Sequence, residues 1–323
     1  MRPLKVCILG GTGFVGTRLV TRLSEERHVV TVLTRNREAH RHLMVLPEVR
    51  LANANVHDAG QLAQLFQGQD VVVNLVGILN ERGRSGAGFR RAHAELAQKV
   101  VGACRSARVP RLLHMSSLRA SPDAPSHYLR SKAEAEQVVR REGARALSYV
   151  IFRPSVMFGP GDSFINRFAR LLRIIPGVFP LARPDARLAP VYVGDVVEAF
   201  ARCLRPGDTD GAELELCGPE IFTLREIVTF TAQVLGRRRY VLGLPDFVAR
   251  VQAFVMDFVP GKPFSTDNYR SLKVDSVCTE NAFALLGIEP HTMRGIVRQY
   301  LGGTSTAGRR DEHRHRASRA THG

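Results

Sequence analysis

The stretch LKVCILGGTGFVG, residues 4–16, decides the fold. Its first six residues form a short apolar run with β-branched members, the pattern of a strand buried on both faces of a parallel sheet. Gly10, Gly13 and Gly16 follow at i, i+3 and i+6, and apolar Val15, Leu19, Val20 and Leu23 then recur at helical spacing. A strand, a glycine loop and a helix in that order suit a dinucleotide. Gly10 permits the tight turn, Gly13 lets the backbone approach a pyrophosphate, and Gly16 lets the helix pack close to the strand. Thr12, Phe14 and Val15 complete the loop. The helix N-terminus then offers free N–H groups and a partial positive charge to the phosphates.

Outward from the loop, strands and helices alternate. Apolar runs at 29–33, 49–56, 70–76, 111–115 and 147–152 read as strands, with helices at 14–26, 89–107, about 128–142 and a short one ending at Gly68. Such alternation implies a parallel sheet covered on both faces. Beyond residue 155 it breaks: a helix at 164–175, a strand at 188–193, a helix at 195–204 capped by Asp195, a strand at 212–216 and a helix at 223–235 opened by Thr223 and Glu226 at capping-box spacing. The expected fold is α/β, a Rossmann-type doubly wound parallel sheet with a smaller C-terminal α+β cap domain. Residues 1–155 form the core, with 188–216 returning to it. Residues 156–187 and 217–302 form the smaller domain, and 303–323 a disordered basic tail.

An acid closing the second strand would bind a ribose 2′-hydroxyl and select NAD. Arg35 stands there instead, with Arg37 two residues on and no acid before Glu38. A guanidinium pairs bidentately with a 2′-phosphate, so NADP(H) is favoured over NAD(H). Asp58, closing the third strand, reads either as an acceptor for the adenine amino group or as a helix cap.

Tyr128 and Lys132 lie four apart at the start of a helix and share a face. A lysine ammonium beside a phenol favours the phenolate, which suits the tyrosine to acid/base work in hydride transfer to or from a carbonyl. Ser116-Ser117 at the end of the fifth strand completes the set, with Ser117 as the carbonyl orienter. These residues resemble the short-chain dehydrogenase/reductase superfamily. LGGTGFVG (9–16) is similar to the loop of its extended branch and Tyr128-Leu-Arg-Ser-Lys132 to its YxxxK element. FRPSVMFGPGD (152–162) resembles the segment facing the nicotinamide, and PVYVGDVVEA (190–199) a later strand–helix junction. More narrowly, NLVGIL (74–79), HMSSL (114–118), FGPGDSFINRFARLL (158–172) and PVYVGDV (190–196) resemble an atypical subgroup. It includes the NADPH-binding accessory subunit of respiratory complex I, bacterial NAD(P)-binding or epimerase-like proteins, and proteins linked to ubiquinone biosynthesis. The resemblance adds Val76, Gly77 and Pro154 to the cofactor-binding set. It also implies two readings of Tyr128 and Lys132, catalysis or cofactor binding alone, because Leu118 fills the slot where extended enzymes usually carry their proton-relay serine.

Composition narrows the rest. With 44% apolar and 24% charged residues, the 323-residue chain is ordinary globular protein, large enough for a core domain and an appendage. No run approaches the roughly eighteen uninterrupted apolar residues that span a bilayer. The apolar run after Arg2 is short and lacks a cleavage pattern, so it is not read as a signal peptide, and a cytoplasmic location is expected. The net charge is +16, of which residues 303–323 carry +3, and arginine outnumbers lysine 41 to 5. That bias, with no aromatic platform and no helix-turn-helix pattern, excludes nucleic acid. Cys7, Cys104, Cys203, Cys217 and Cys278 are odd in number and never in CxxC spacing, which argues against a zinc site or a disulfide framework.

Two apolar segments, 168–181 and 247–259, read as core of the smaller domain. The alternative is a surface for a quinone-like molecule, a partner subunit or the inner face of a membrane, with Arg167, Arg170, Arg173 and Arg250 suited to anionic headgroups. Two functions follow. One is an NADP(H)-dependent oxidoreductase or epimerase-like enzyme on a small apolar, quinone-related substrate. The other is a non-catalytic NADPH-binding subunit or assembly factor of respiratory complex I or a quinone-biosynthetic complex.

Overall fold

Strand β1 (Lys5–Leu9) is buried at every residue but Lys5, as its unbroken apolar run requires. It belongs to a computed structural model that describes residues 2–143, 147–260 and 262–302. After it come α1 (Phe14–Glu25), β2 (Val29–Thr34), a 3-10 segment (Glu38–Val45), β3 (Val49–Asn53), α2 (Ala59–Leu65) and β4 (Val71–Asn74). Then α3 (Ala87–Arg90) runs through a π turn (Arg91–Glu95) into α4 (Leu96–Ala107), followed by β5 (Arg111–Met115), α5 (His127–Val138), a second π turn (Val139–Gly143) and β6 (Ser148–Pro154). The single helix expected at 89–107 is thus interrupted by a widened turn.

Past Pro154 the elements shorten: β7 (Met157–Phe158), α6 (Ile165–Ile174), β8 (Val178–Leu181), β9 (Arg187–Leu188), β10 (Val191–Tyr192), α7 (Val193–Arg202), β11 (Glu213–Leu216), β12 (Phe222–Thr223), α8 (Leu224–Val234), β13 (Tyr240–Gly243), α9 (Asp246–Met256), α10 (Thr266–Ser271) and α11 (Met293–Leu301). Among the described residues the main sheet has seven strands in the order β3-β2-β1-β4-β5-β6-β11, every pairing parallel. The order reverses between β1 and β4, which opens a crevice at the carboxyl ends of those two strands.

The chain divides into two compact units. The first holds residues up to Pro154 with Val196–Leu216 and Asn281–Ile288; the second holds Ser155–Asp195, Cys217–Glu280 and the described residues from Glu289 onward. In the first, Leu9, Leu33, Leu62, Phe66, Leu96, Val100, Leu112 and Ile151 share one core between sheet and helices. Fully burying such a side chain contributes about 1.5–3 kcal/mol. In the second, Phe158, Leu172, Phe179, Leu188, Ile227 and Val297 form another.

Several expectations need correction. The strand read at 188–193 is two short ones, β9 and β10, with Pro190, which has no N–H to donate, between them. Asp195 does not cap α7: the helix starts at Val193, and the carboxylate accepts instead from the His291 backbone N–H (2.8 Å) and ring Nδ1 (2.6 Å). The capping box of Thr223 and Glu226 does form. Cys217 and Cys278 are joined in a disulfide, Cα atoms 6.0 Å apart across 61 residues of sequence. No local spacing announces a pair that the fold alone brings together. The other three cysteines are buried and free, and burial pushes the Cys7 thiol up to about 12.

Of the two apolar segments, 168–181 is largely core, whereas most large side chains of 247–259 are exposed. Among the described residues no helix is long and apolar enough to cross a membrane. The tail expected at 303–323 lies outside the described residues.

Candidate active site

The glycine loop joins β1 to α1. Gly10 sits at φ +77, where an L side chain is strained, and a Cβ there would also lie 3.0 Å from the Leu75 backbone and 3.1 Å from the Val76 nitrogen. Gly13 donates to the Gly10 carbonyl (3.0 Å) and occupies the N-cap of α1 without a side-chain partner. A Cβ on Gly16 would fall 2.2 Å from the Gly10 oxygen, so α1 packs on the loop only because position 16 has none. Thr12 and Phe14 are half-buried and Val15 is buried. The first turn of α1 carries no acid, and its N–H groups stay available to an anion.

The loop after β4 links this cradle to α5. Asn74 Oδ1 accepts from the Val76 N–H (3.2 Å), bending the chain so that Gly77 faces Lys132. A Cβ on Gly77 would lie 3.3 Å from Lys132 Nζ. That ammonium is buried and donates to the Met115 carbonyl at the end of β5 (3.0 Å). Among the described residues this is its acceptor, which leaves two N–H bonds for something else. Burial pushes its pKa down to about 8, against the pull of Glu136 one turn on. Glu136 is itself committed, to Arg153 (2.8 and 2.6 Å) and Arg140 (3.0 Å).

Tyr128 stands one turn before Lys132 on α5, half-buried, with its ring edge-on to His93 (5.6 Å) and Phe89 (6.0 Å). Ser126 caps this helix, accepting from the Leu129 N–H at 3.2 Å. His93 was not singled out in the sequence. It lies in the π turn, and its Nε2 accepts from the Ile78 N–H (3.2 Å). Its Nδ1 therefore carries the proton and donates to Ser131 Oγ (2.8 Å), which donates to the Tyr128 carbonyl (2.8 Å). Burial holds His93 neutral, its pKa down to about 2. His114, down to about 3 for the same reason, takes a hydrogen bond from Asn74 Nδ2 (3.2 Å) on its Nδ1, and its Nε2 has no partner. The one sequence signal for His93 is its place on the buried face shared with Phe89, Leu96 and Val100.

Ser116 and Ser117 follow β5. The Leu118 N–H donates to the Pro154 carbonyl (2.9 Å), which ties this loop to the end of β6. Leu118 is buried, Ser117 is half-buried with a weak contact to the Leu118 carbonyl (3.4 Å), and the buried Ser116 Oγ has no hydrogen-bond partner among the described residues. An orphaned buried hydroxyl, an ammonium with spare donors and a loop that excludes Cβ atoms fit a bound dinucleotide. The structure thus brings the glycine loop, Val76, Gly77, Lys132, the 115–118 loop and Pro154 into one connected series along the carboxyl ends of β1, β4, β5 and β6.

Arg35 and Arg37 are exposed just past the carboxyl end of β2, the parallel neighbour of β1. The Arg37 N–H donates to Asn53 Oδ1 (3.1 Å), and the nearest acid in sequence, Glu38, pairs with Arg41. Asp58 caps α2, accepting from the Gln61 N–H at 3.0 Å, which is the second of the two roles it was given.

The signature of the NAD dependent epimerase/dehydratase family matches residues 6–216. The chain belongs to that family. Membership bears out the short-chain dehydrogenase/reductase resemblance and makes this an NAD(P)-binding, oxidoreductase-like chain. Within the epimerase/dehydratase family the relatives differ in kind. "NADH dehydrogenase [ubiquinone] 1 alpha subcomplex subunit 9, mitochondrial" of Arabidopsis thaliana is 28% identical over 91% of this chain and 76% of its own length. The "Ceramide reductase" of Caulobacter vibrioides is 30% identical over 75% of this chain and 74% of its own. The UDP-glucuronic acid 4-epimerase of Bacillus cereus, solved with its sugar nucleotide and NAD, covers 91% of this chain and 96% of its own at TM-score 0.73. At 16% identity that last match speaks for the fold alone.

Proposed function

We propose that this chain is an NADP(H)-dependent oxidoreductase that reduces a carbonyl on an apolar molecule of the lipid or quinone kind. The first unit holds the cofactor. Bound NADPH supplies the hydride. Tyr128 Oη gives the substrate oxygen its proton, and Lys132, one turn on, stabilises the phenolate left behind while its spare N–H bonds hold the ribose hydroxyls. Ser117 orients the carbonyl, and the neutral His93–Ser131 pair positions the first turn of α5 without drawing protons from it. The observation that carries this reading is the Lys132 ammonium, buried against Gly77 with one protein acceptor and its pKa at about 8.

Arg35 and Arg37 support the phosphorylated cofactor: no acid claims either guanidinium among the described residues, and both follow the second strand, after which this fold commonly reads the adenosine ribose. The 30% identity to a ceramide reductase supports an apolar carbonyl substrate. A second reading, a non-catalytic NADPH-binding subunit of a respiratory or quinone-biosynthetic assembly, is favoured by the 28% identity to the Arabidopsis subunit and by Leu118 in the serine slot.

Tyr128→Phe separates the two. Oxidation of bound NADPH by a long-chain ketone or a quinone should fall at least about a hundredfold, with NADPH affinity within about twofold of wild type. Wild-type protein that never oxidises bound NADPH, but copurifies with respiratory subunits, would establish the second reading.

A further inference from the structure

Helix α9 is built inside out. Its buried residues are Ala249 and Ala253, which pack with Ala182, Tyr269 and Leu244. At 100° per residue, Phe247, Val251 and Phe254 fall on the opposite side. They are 75%, 47% and 49% exposed, and Phe258, just past the last turn, is 67% exposed with its ring 5.4 Å from that of Phe254. A helix that hides alanines and shows phenylalanines wastes its largest apolar side chains on water, unless the outer face meets an apolar medium.

The strand pair that leads into α9 repeats the pattern. Tyr240 lies opposite Val178 and Leu242 opposite Pro180. Phe179, Leu181 and Val241 are buried, while Val178, Tyr240 and Leu242 alternate outward and are exposed. Arginines precede both strands in the chain: Arg170 and Arg173 on α6 before β8, and Arg237 and Arg238 before β13, are exposed, and Arg239 is held by the Leu172 carbonyl (3.2 Å) near the end of α6. Residues 163–184 and 236–260 hold eight arginines against two acids, Asp246 and Asp257, and Asp246 is paired with Arg250 (2.9 Å). Phenylalanines on an outward helix face, with a surplus of basic charge in the segments around it, match an interface that is apolar inside and anionic at its rim. A second copy of this +16 chain would present like charge to like.

We propose that this face of the second unit docks on an anionic lipid bilayer. Phe247, Phe254 and Phe258 enter the acyl region while Arg170, Arg237 and Arg238 meet the phosphates. The inference uses no residue of the cofactor site and stands or falls independently of the proposed reaction.

The chain has no tryptophan, so Phe254→Trp introduces a single reporter at the centre of the face. With vesicles of phosphatidylcholine containing phosphatidylglycerol, full-length protein should sediment with the lipid and the indole emission should shift to the blue. Both effects should weaken with salt and with neutral vesicles. The triple variant Phe247→Ser, Phe254→Ser and Phe258→Ser should lose more than about a hundredfold in partition at unchanged melting temperature, since none of the three is core. Each of Arg170→Gln, Arg237→Gln and Arg238→Gln should cost about fivefold. Equal affinity for neutral and anionic vesicles, an unshifted indole, or full binding by the triple variant overturns the proposal. Self-association that the triple variant abolishes, with no vesicle binding by wild type, also overturns it and reassigns the face to a second copy.

Discussion

Replacing Lys132 by methionine should make the empty protein more stable while it weakens cofactor binding. At neutral pH the buried ammonium is held at a cost. Its pKa falls from 10.5 to about 8, so the charged form is disfavoured on folding by about 3 kcal/mol. Methionine fills a similar volume and removes that cost. It also removes the hydrogen bond to the Met115 carbonyl, worth about 1 kcal/mol, so Lys132→Met should gain about 2 kcal/mol at pH 7.

The advantage has a defined pH window. Below pH 8 both folded and unfolded wild-type chains carry the proton; between 8 and 10.5 the unfolded chain alone does. Wild-type stability therefore rises with pH through that window, by up to about 3 kcal/mol, whereas the variant has nothing to titrate there. Urea melts of both proteins without cofactor, at pH 7 and pH 10, give the double difference, in which all other titrating groups cancel. A variant less stable than wild type at pH 7, or a gap that does not change with pH, refutes the argument that Lys132 is strained by burial.

Three further outcomes follow from the same geometry. Arg35→Gln should narrow the preference for NADPH over NADH by about tenfold or more in paired calorimetric titrations, and an unchanged ratio removes Arg35 from cofactor selection. Gly77→Ala should weaken NADPH binding about tenfold at near-normal melting temperature, because the methyl would sit 3.3 Å from Lys132 Nζ; the readout is a fluorescence titration. Cys217→Ser opens a covalent loop of 61 residues and should cost at most about 4 kcal/mol in urea melts, a loss that reductant should reproduce in wild type.

The inner strands β1, β2 and β4 of the core sheet were legible because each is an almost unbroken apolar run, the pattern of a parallel strand covered on both faces, whereas the edge strands β3 and β11 carry Arg50, Glu213 and Glu215. The glycine loop was legible because close backbone approach leaves glycine as the one residue that fits at positions 10 and 16. Lys132 was found through its spacing from Tyr128, a helical relation that needs no tertiary knowledge. His93, Ser131 and Asn74 were not. Their significance lies in hydrogen bonds between elements distant in sequence, and each is an unremarkable polar residue where it stands. The disulfide escaped for the same reason. Helix α9 defeated a different assumption: an amphipathic pattern names an apolar face, but only packing decides whether that face is turned inward.

The π turn at Arg91–Glu95 fixes a residue count. An ordinary α-helix through this point would need one residue fewer, so removing one here can leave α3 and α4 in register while it re-aims the side chains of the turn itself. Phe89 would keep its place in the interior, and Glu81 the two amides, of Gly86 and Gly88, that it now holds at 2.7 and 2.8 Å. His93 could not then face Ile78 and Ser131 together. Deletion scanning from 76 to 96 should therefore find the fold retained after a loss in the irregular stretch 82–85 or at 91, with the His93 contacts, and cofactor binding with them, lost at 91.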